Sequence, residues 1–145
     1  AASQLIDRAF KSRGPNSFEV EFVLSTEEKA VQKADDMVEK LTDRENWQPG
    51  EIALLTTKKR HPQHALQVDK DRATYWQNFW EGEEVFYCTV GGFKGLERPV
   101  VIVAVDGFHN AESFEDFLYV ACTRARDKLV IVADKNVLDK FNNKK

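Results

Sequence analysis

The first regular pattern in the chain runs from 17 to 25, SFEVEFVLS, where Phe18, Val20, Phe22 and Leu24 alternate with mostly polar neighbours. A period of two predicts a strand with one buried face. The period then changes. Ala30, Ala34, Met37 and Leu41 fall at helical spacing with Val31 and Val38 beside them, which predicts an amphipathic helix with Ser25 and Glu28 as its capping box. Pro49 and Gly50 break this pattern. EIALL, 51 to 55, reads as a short buried strand that runs into the basic turn TTKKRHP. From Pro62 to Trp80 the pattern is mixed, and Tyr75, Trp76, Phe79 and Trp80 fit one helical face at i, i+1, i+4 and i+5.

The second half of the chain is more apolar. EVFYCTV, 84 to 90, has the β-branched and aromatic content of a strand. PVVIVAV, 99 to 105, is apolar at every position, as suits a strand covered by helices on both faces. Ser113 and Asp116 are expected to cap a helix over SFEDFLYVACTRAR, followed by a buried strand KLVIVA, 128 to 133, and a short helix KNVLDKF. Strands alternating with helices predict an α/β three-layer sandwich with a mainly parallel sheet.

A length of 145 residues fits one domain with a sizeable core, with 1 to 16 and the tail 142 to 145 expected to lie outside it. The chain starts at alanine rather than methionine, which reads as an excised fragment of a larger protein or as a tag remnant. A net charge of −3 argues against an open basic face, yet leaves room for a narrow basic track. Cys88 and Cys122 are too few for a disulfide framework or a zinc site, so free thiols and a cytoplasmic location are expected. No run reaches the roughly 18 apolar residues of a membrane span.

The densest chemistry lies in CTVGGFKGLERPVVIVAV, 88 to 105, where three glycines and Lys94 precede a buried strand. A P-loop follows its strand and opens a helix. Here the glycines lie between two strands, and the Walker spacing and its Ser/Thr are missing. Lys94 is open to three readings: a phosphate contact, a sheet-capping ion pair or a solvated lysine. Arg124 falls on the shoulder of its helix's apolar stripe. There it either complements the helix dipole or grips a planar anion. His61 and His64 are three apart but lack an evident third metal ligand. Asp106 ends a strand, as a functional carboxylate or as part of a plain DGF turn. The four aromatics between 75 and 80 suit packing, with base stacking as the other reading.

Taken together, TVGGFKGLERPVVIV and LYVACTRARDKLVIV resemble motifs V and VI of UvrD/Rep-type superfamily 1 helicases, in order and spacing. The FKGLE form is most similar to bacterial helicase-like proteins with a nuclease-related domain. The resemblance is specific over 84 to 133. It implies a C-terminal RecA-like domain facing an ATP cleft that a separate P-loop domain completes with Mg²⁺. On this likeness Arg124 is the arginine finger, Glu97 faces the nucleotide sugar and Gly95 permits close backbone approach. Thr89, Gly91, Gly92 and Lys94 belong to the part that meets single-stranded DNA. Gly91 stands where the family has histidine. A weaker likeness extends back through EIALLTTKKRHP, where the family carries Tyr-Arg after its strand and this chain has Thr56 and Thr57. Arg60 or Lys58 is then the substitute phosphate contact. The family's long insertion is absent, since fewer than 30 residues separate Arg60 from Thr89. A motor domain of an ATP-dependent helicase-like protein is the leading expectation, and a non-catalytic nucleic-acid-binding or docking module is the alternative. A chance match on an unrelated α/β domain would fail to place the two motif segments on adjacent parallel strands.

Overall fold

The computed structural model describes residues 19–93, 96–107 and 123–142. Its strands are β1 (Glu19–Leu24), β2 (Ile52–Thr56), β3 (Phe86–Thr89), β4 (Arg98–Ala104) and β5 (Ala125–Ala133), and its helices α1 (Ala30–Asp43), α2 (Pro62–Lys70), α3 (Arg72–Glu81) and α4 (Lys135–Asn142). The strands form one sheet in the order β1-β5-β4-β2-β3, and every pairing is parallel. The sheet is therefore wholly parallel where a mainly parallel one was expected. β4 and β5, which carry the two motif segments, are direct neighbours.

Alternation along the central strands supplies both faces of the sheet. Ile52, Leu54, Val100, Ile102 and Val130 pack with the α1 stripe of Ala30, Ala34, Met37 and Leu41. Ala53, Leu55, Val101, Val103, Leu129 and Ile131 pack on the other face with Tyr75, Phe79, Phe86, Phe93 and Val137. With both faces covered, β2 is buried at every position and β4 at all but Pro99, which explains their unbroken apolar runs.

Several local expectations change. The α1 capping box is absent: its N-cap is Lys29, without a side-chain cap, and Ser25 donates to the Thr26 carbonyl instead. β1 lies at the sheet edge, so Phe22 and Leu24 keep 40% and 60% exposure and the expected buried face is only partly covered. The mixed stretch from Pro62 resolves into two helices parted at Asp71, whose carboxylate accepts from Ala73 N–H and caps α3. Tyr75 and Phe79 are buried, whereas Trp76 and Trp80 are exposed. β5 starts three residues earlier than its apolar run because Ala125 pairs with Arg98, which turns Ala125 and Arg126 from expected helix into strand. The rest of that expected helix, up to Cys122, lies outside the described residues.

Candidate functional site

Parallel pairing sorts the expected site residues by strand end. Arg98 and Ala125 are register partners, with a register irregularity between Arg98 and Val100, so Glu97 and Arg124 both precede the first pair of β4 and β5 at the N-terminal edge of the sheet. Glu97 is exposed, and no hydrogen bond or ion pair engages it among the described residues. Arg124 is half-buried and helical in its backbone, and its Nε is buried without a hydrogen-bond partner. A buried donor left unpaired costs about 1–3 kcal/mol, so native proteins rarely keep one without a ligand, water or partner to meet it.

The neighbouring arginine shows the opposite condition. Arg98 is 4% exposed, and its guanidinium donates to three carbonyl oxygens: Ile52 (2.9 Å), Glu84 (2.8 Å) and Phe79 (3.1 Å). It also lies 5.0 Å from the Phe79 ring centroid and 5.4 Å from that of Phe86. Burial lowers its pKa to about 10, which leaves it charged at neutral pH. Arg98 thus ties β2, the end of α3 and the β3 approach to the start of β4, and it fixes where Glu97 emerges. Sequence reading passed over it. An arginine opening an apolar run was the available signal.

The other expected residues gather at the C-terminal edge. Thr89 ends β3 beside Thr56 of β2. The Thr89 hydroxyl accepts from Gly92 N–H (3.1 Å), and Phe93, fully buried, anchors the turn by donating its N–H to the Thr89 carbonyl. A Cβ on Gly92 would sit 2.9 Å from Cys88 Sγ and 3.1 Å from Thr89 Oγ1, while one on Gly91 would meet nothing. A side chain at position 92 would therefore crowd Cys88 and Thr89, whereas one at position 91 has open space. Lys94 and Gly95 lie outside the described residues.

Asp106 organises the loop that follows β2. Its carboxylate accepts from the backbone N–H groups of Thr57 (3.1 Å), Lys58 (2.9 Å) and Lys59 (3.0 Å), while the Thr57 hydroxyl donates to the Gly107 carbonyl oxygen (2.5 Å). Three successive amides converge on one anion, and the anion is this side chain. Of the two readings of Asp106, the structural one describes what the carboxylate does here. The loop then delivers Arg60 to the C-terminal edge, beside Thr89. The structure does not bring Arg60 together with Glu97 and Arg124: β4, of seven residues, separates the two edges by roughly 20 Å.

The histidines divide likewise. His61 Nδ1 accepts from Gln63 N–H, so its Nε2 carries the proton and donates to Asp35 (2.8 Å), which leaves neither nitrogen free. His64 is 6% exposed, stacks on Tyr75 at 5.0 Å and leaves its Nδ1 without a partner. Burial, then the charges of Arg60 and His61, push its pKa down to about 4.

A wholly parallel five-stranded sheet with helices on both faces and two motif segments on adjacent strands defines an α/β domain. Residues 84–132 match the family model of the UvrD-like helicase C-terminal domain, so this segment carries that family's signature. A solved structure of the C-terminal domain of a possible DNA helicase from Lactobacillus plantarum WCFS1 aligns with a TM-score of 0.46 at 16% identity, over 92% of this chain and 83% of that one. No curated protein matches the chain.

Proposed function

We propose that this chain is the C-terminal motor domain of an ATP-dependent DNA helicase-like protein, and that its N-terminal sheet edge completes an ATP site begun by a separate P-loop domain. The observation that carries this reading is the unpartnered, buried Nε of Arg124, which like Glu97 lies one residue before the Arg98–Ala125 pair. A guanidinium remains charged throughout the working pH range and forks around phosphate oxygens. In the assembled cleft Arg124 supplies the positive charge that offsets charge on the transferring γ-phosphoryl group. Glu97, an exposed carboxylate, accepts from a ribose hydroxyl. Mg²⁺ and the attacking water belong to the other domain. Thr89, Gly91 and Gly92 face a single strand at the far edge, and closure of the cleft on ATP couples the two edges.

The absence of the P-loop pattern makes the isolated chain inactive towards ATP on this reading. In the full-length protein, Arg124→Ala should retain ATP binding while turnover falls by about 10³-fold or more. Turnover within twofold of wild type removes the finger assignment. The docking-module alternative is favoured by the Thr56–Thr57 pair and the short connection between Arg60 and Thr89. It requires that full-length protein show no nucleic-acid-stimulated ATP hydrolysis at all.

A further inference from the structure

Helix α3 is ten residues long, about 15 Å, and its two ends are fastened at opposite edges of the sheet. At the C-terminal edge its first turns wall a cleft shared with Thr89 and Gly92, and the Tyr75 hydroxyl donates to the Tyr87 carbonyl. At the N-terminal edge the Phe79 carbonyl accepts from Arg98. Just past the helix, the Gly82 carbonyl lies so close to Gly50 that a Cβ there would overlap it.

A pair of buried rings joins these ends. Phe79 of α3 and Phe86 of β3 pack edge-on at 4.9 Å. Phe93, the anchor of the turn after β3, lies 5.8 Å from Phe79 and 6.0 Å from Phe86. The Arg98 guanidinium lies against the same two rings, at 5.0 Å and 5.4 Å. Both ends of the stretch from 93 to 98 are therefore seated on one aromatic pair, and neither ring belongs to TVGGFKGLERPVVIV.

We propose that Phe79 is a positioning residue for the ATP site: it holds the turn from Thr89 to Gly92 and the Glu97 position in one fixed relation, so that single-stranded DNA meeting the turn alters how Glu97 meets the nucleotide at the other edge. This inference rests on the ATP reading above and adds to it the side chain that links the two edges. Its physical basis is close packing. Rings in edge-on contact within a dense core have no void to absorb a displacement, so a shift of Phe93 is passed to Phe79 and Phe86. Arg98 follows, because its bonds to three carbonyls and its seat on both rings tie it to the same unit, and Glu97 is the residue before it. Phe79 itself touches neither DNA nor nucleotide and acts only through Phe93 and Arg98.

Two measurements test this. In the full-length protein, ATP turnover with and without an oligothymidylate is compared for wild type, Phe79→Leu and Trp80→Ala. Leucine keeps apolar bulk without the ring, and Trp80 is the exposed neighbour on the same helix. Stimulation by the oligonucleotide should fall about threefold or more in Phe79→Leu and stay at the wild-type level in Trp80→Ala. A smaller folded fraction scales both turnover values alike, so their ratio reads positioning and not stability. An unchanged ratio in Phe79→Leu, or an equal loss in Trp80→Ala, overturns the proposal. In the present chain, amide exchange is compared between wild type and Arg98→Lys. The Phe93 amide, which bonds the Thr89 carbonyl, should exchange about threefold or more faster relative to the Leu54 amide at the centre of β2. Unchanged relative exchange overturns the link without reference to ATP. Full-length wild type that hydrolyses ATP without stimulation overturns this proposal and leaves the Arg124 assignment standing. Wild type with no hydrolysis at all overturns the ATP reading and this proposal with it.

Discussion

Arg98 and Ala125 face each other as the first pair between two parallel strands, and Glu97 and Arg124 each lie one residue before that pair. The two residues are 27 positions apart in sequence. Their arrival at one edge of the sheet follows from the hydrogen bonding of β4 to β5, which no local pattern encodes.

Removal of Arg124 should be harmless to folding, unlike that of Arg98 at the same edge. Its buried Nε contributes an unsatisfied donor rather than a bond. Arg124→Met, which keeps the aliphatic bulk, should leave the urea midpoint unchanged or slightly raised. A loss above about 2 kcal/mol would show that Arg124 has a structural partner.

Arg98 should behave in the opposite way. Arg98→Met removes the donors to Ile52, Glu84 and Phe79 and leaves three carbonyls at a buried junction. The expected cost is about 3 kcal/mol, read from equilibrium urea unfolding. Arg98→Lys should recover only part of it, because an ammonium cannot match the planar fork or its seat against Phe79 and Phe86. Full recovery by lysine would reduce the role of Arg98 to its charge.

Asp106→Asn tests how the loop after β2 is held. The carboxylate meets three amide donors, and an asparagine side chain must turn its own NH₂ towards at least one of them. Stability should fall by about 1–2 kcal/mol, and exchange of the Lys58 and Lys59 amides with solvent deuterium should accelerate. Unchanged exchange would mean that the loop is fixed by other contacts.

His64 sets a pH dependence whose sign follows from its lowered pKa of about 4. The unfolded chain takes up the proton near pH 6.5, the folded chain only near pH 4. Between these values the unfolded state binds more protons, so stability falls as the pH drops through this window and is fully present above it. The contribution at stake is up to about 3 kcal/mol. His64→Gln should flatten the fall in urea midpoint between pH 7 and pH 5 relative to wild type. An identical slope in the variant assigns the acid sensitivity to other groups.

Lys128 illustrates what the sequence hid. In the chain it is merely the first residue of an apolar run, KLVIVA. In the fold it is 3% exposed and holds Glu19 (2.7 Å), Glu21 (3.1 Å) and Glu45 (2.8 Å), three carboxylates from two distant segments. These partners raise its pKa despite its burial. Burial pushes the Glu21 carboxyl up, yet Lys128 and Lys40 outweigh it and hold the group below its usual range. The cluster joins β1 to β5 and to the segment after α1.

By itself the sequence determined the alternation of strands and helices, the double-sided burial of β2 and β4, and the two segments whose residues resemble helicase motifs V and VI. These are written in local periodicity and in contiguous residues, where each side chain's environment follows from its near neighbours. Only the tertiary structure decided that Arg60 belongs with Thr89 and His64 rather than with Arg124, that Arg98 is saturated while Arg124 is not, and that Asp106 serves a backbone loop. Such choices depend on which strand ends lie together and on which polar groups find partners across the sheet, and parallel pairing sets both through contacts between residues far apart in the chain.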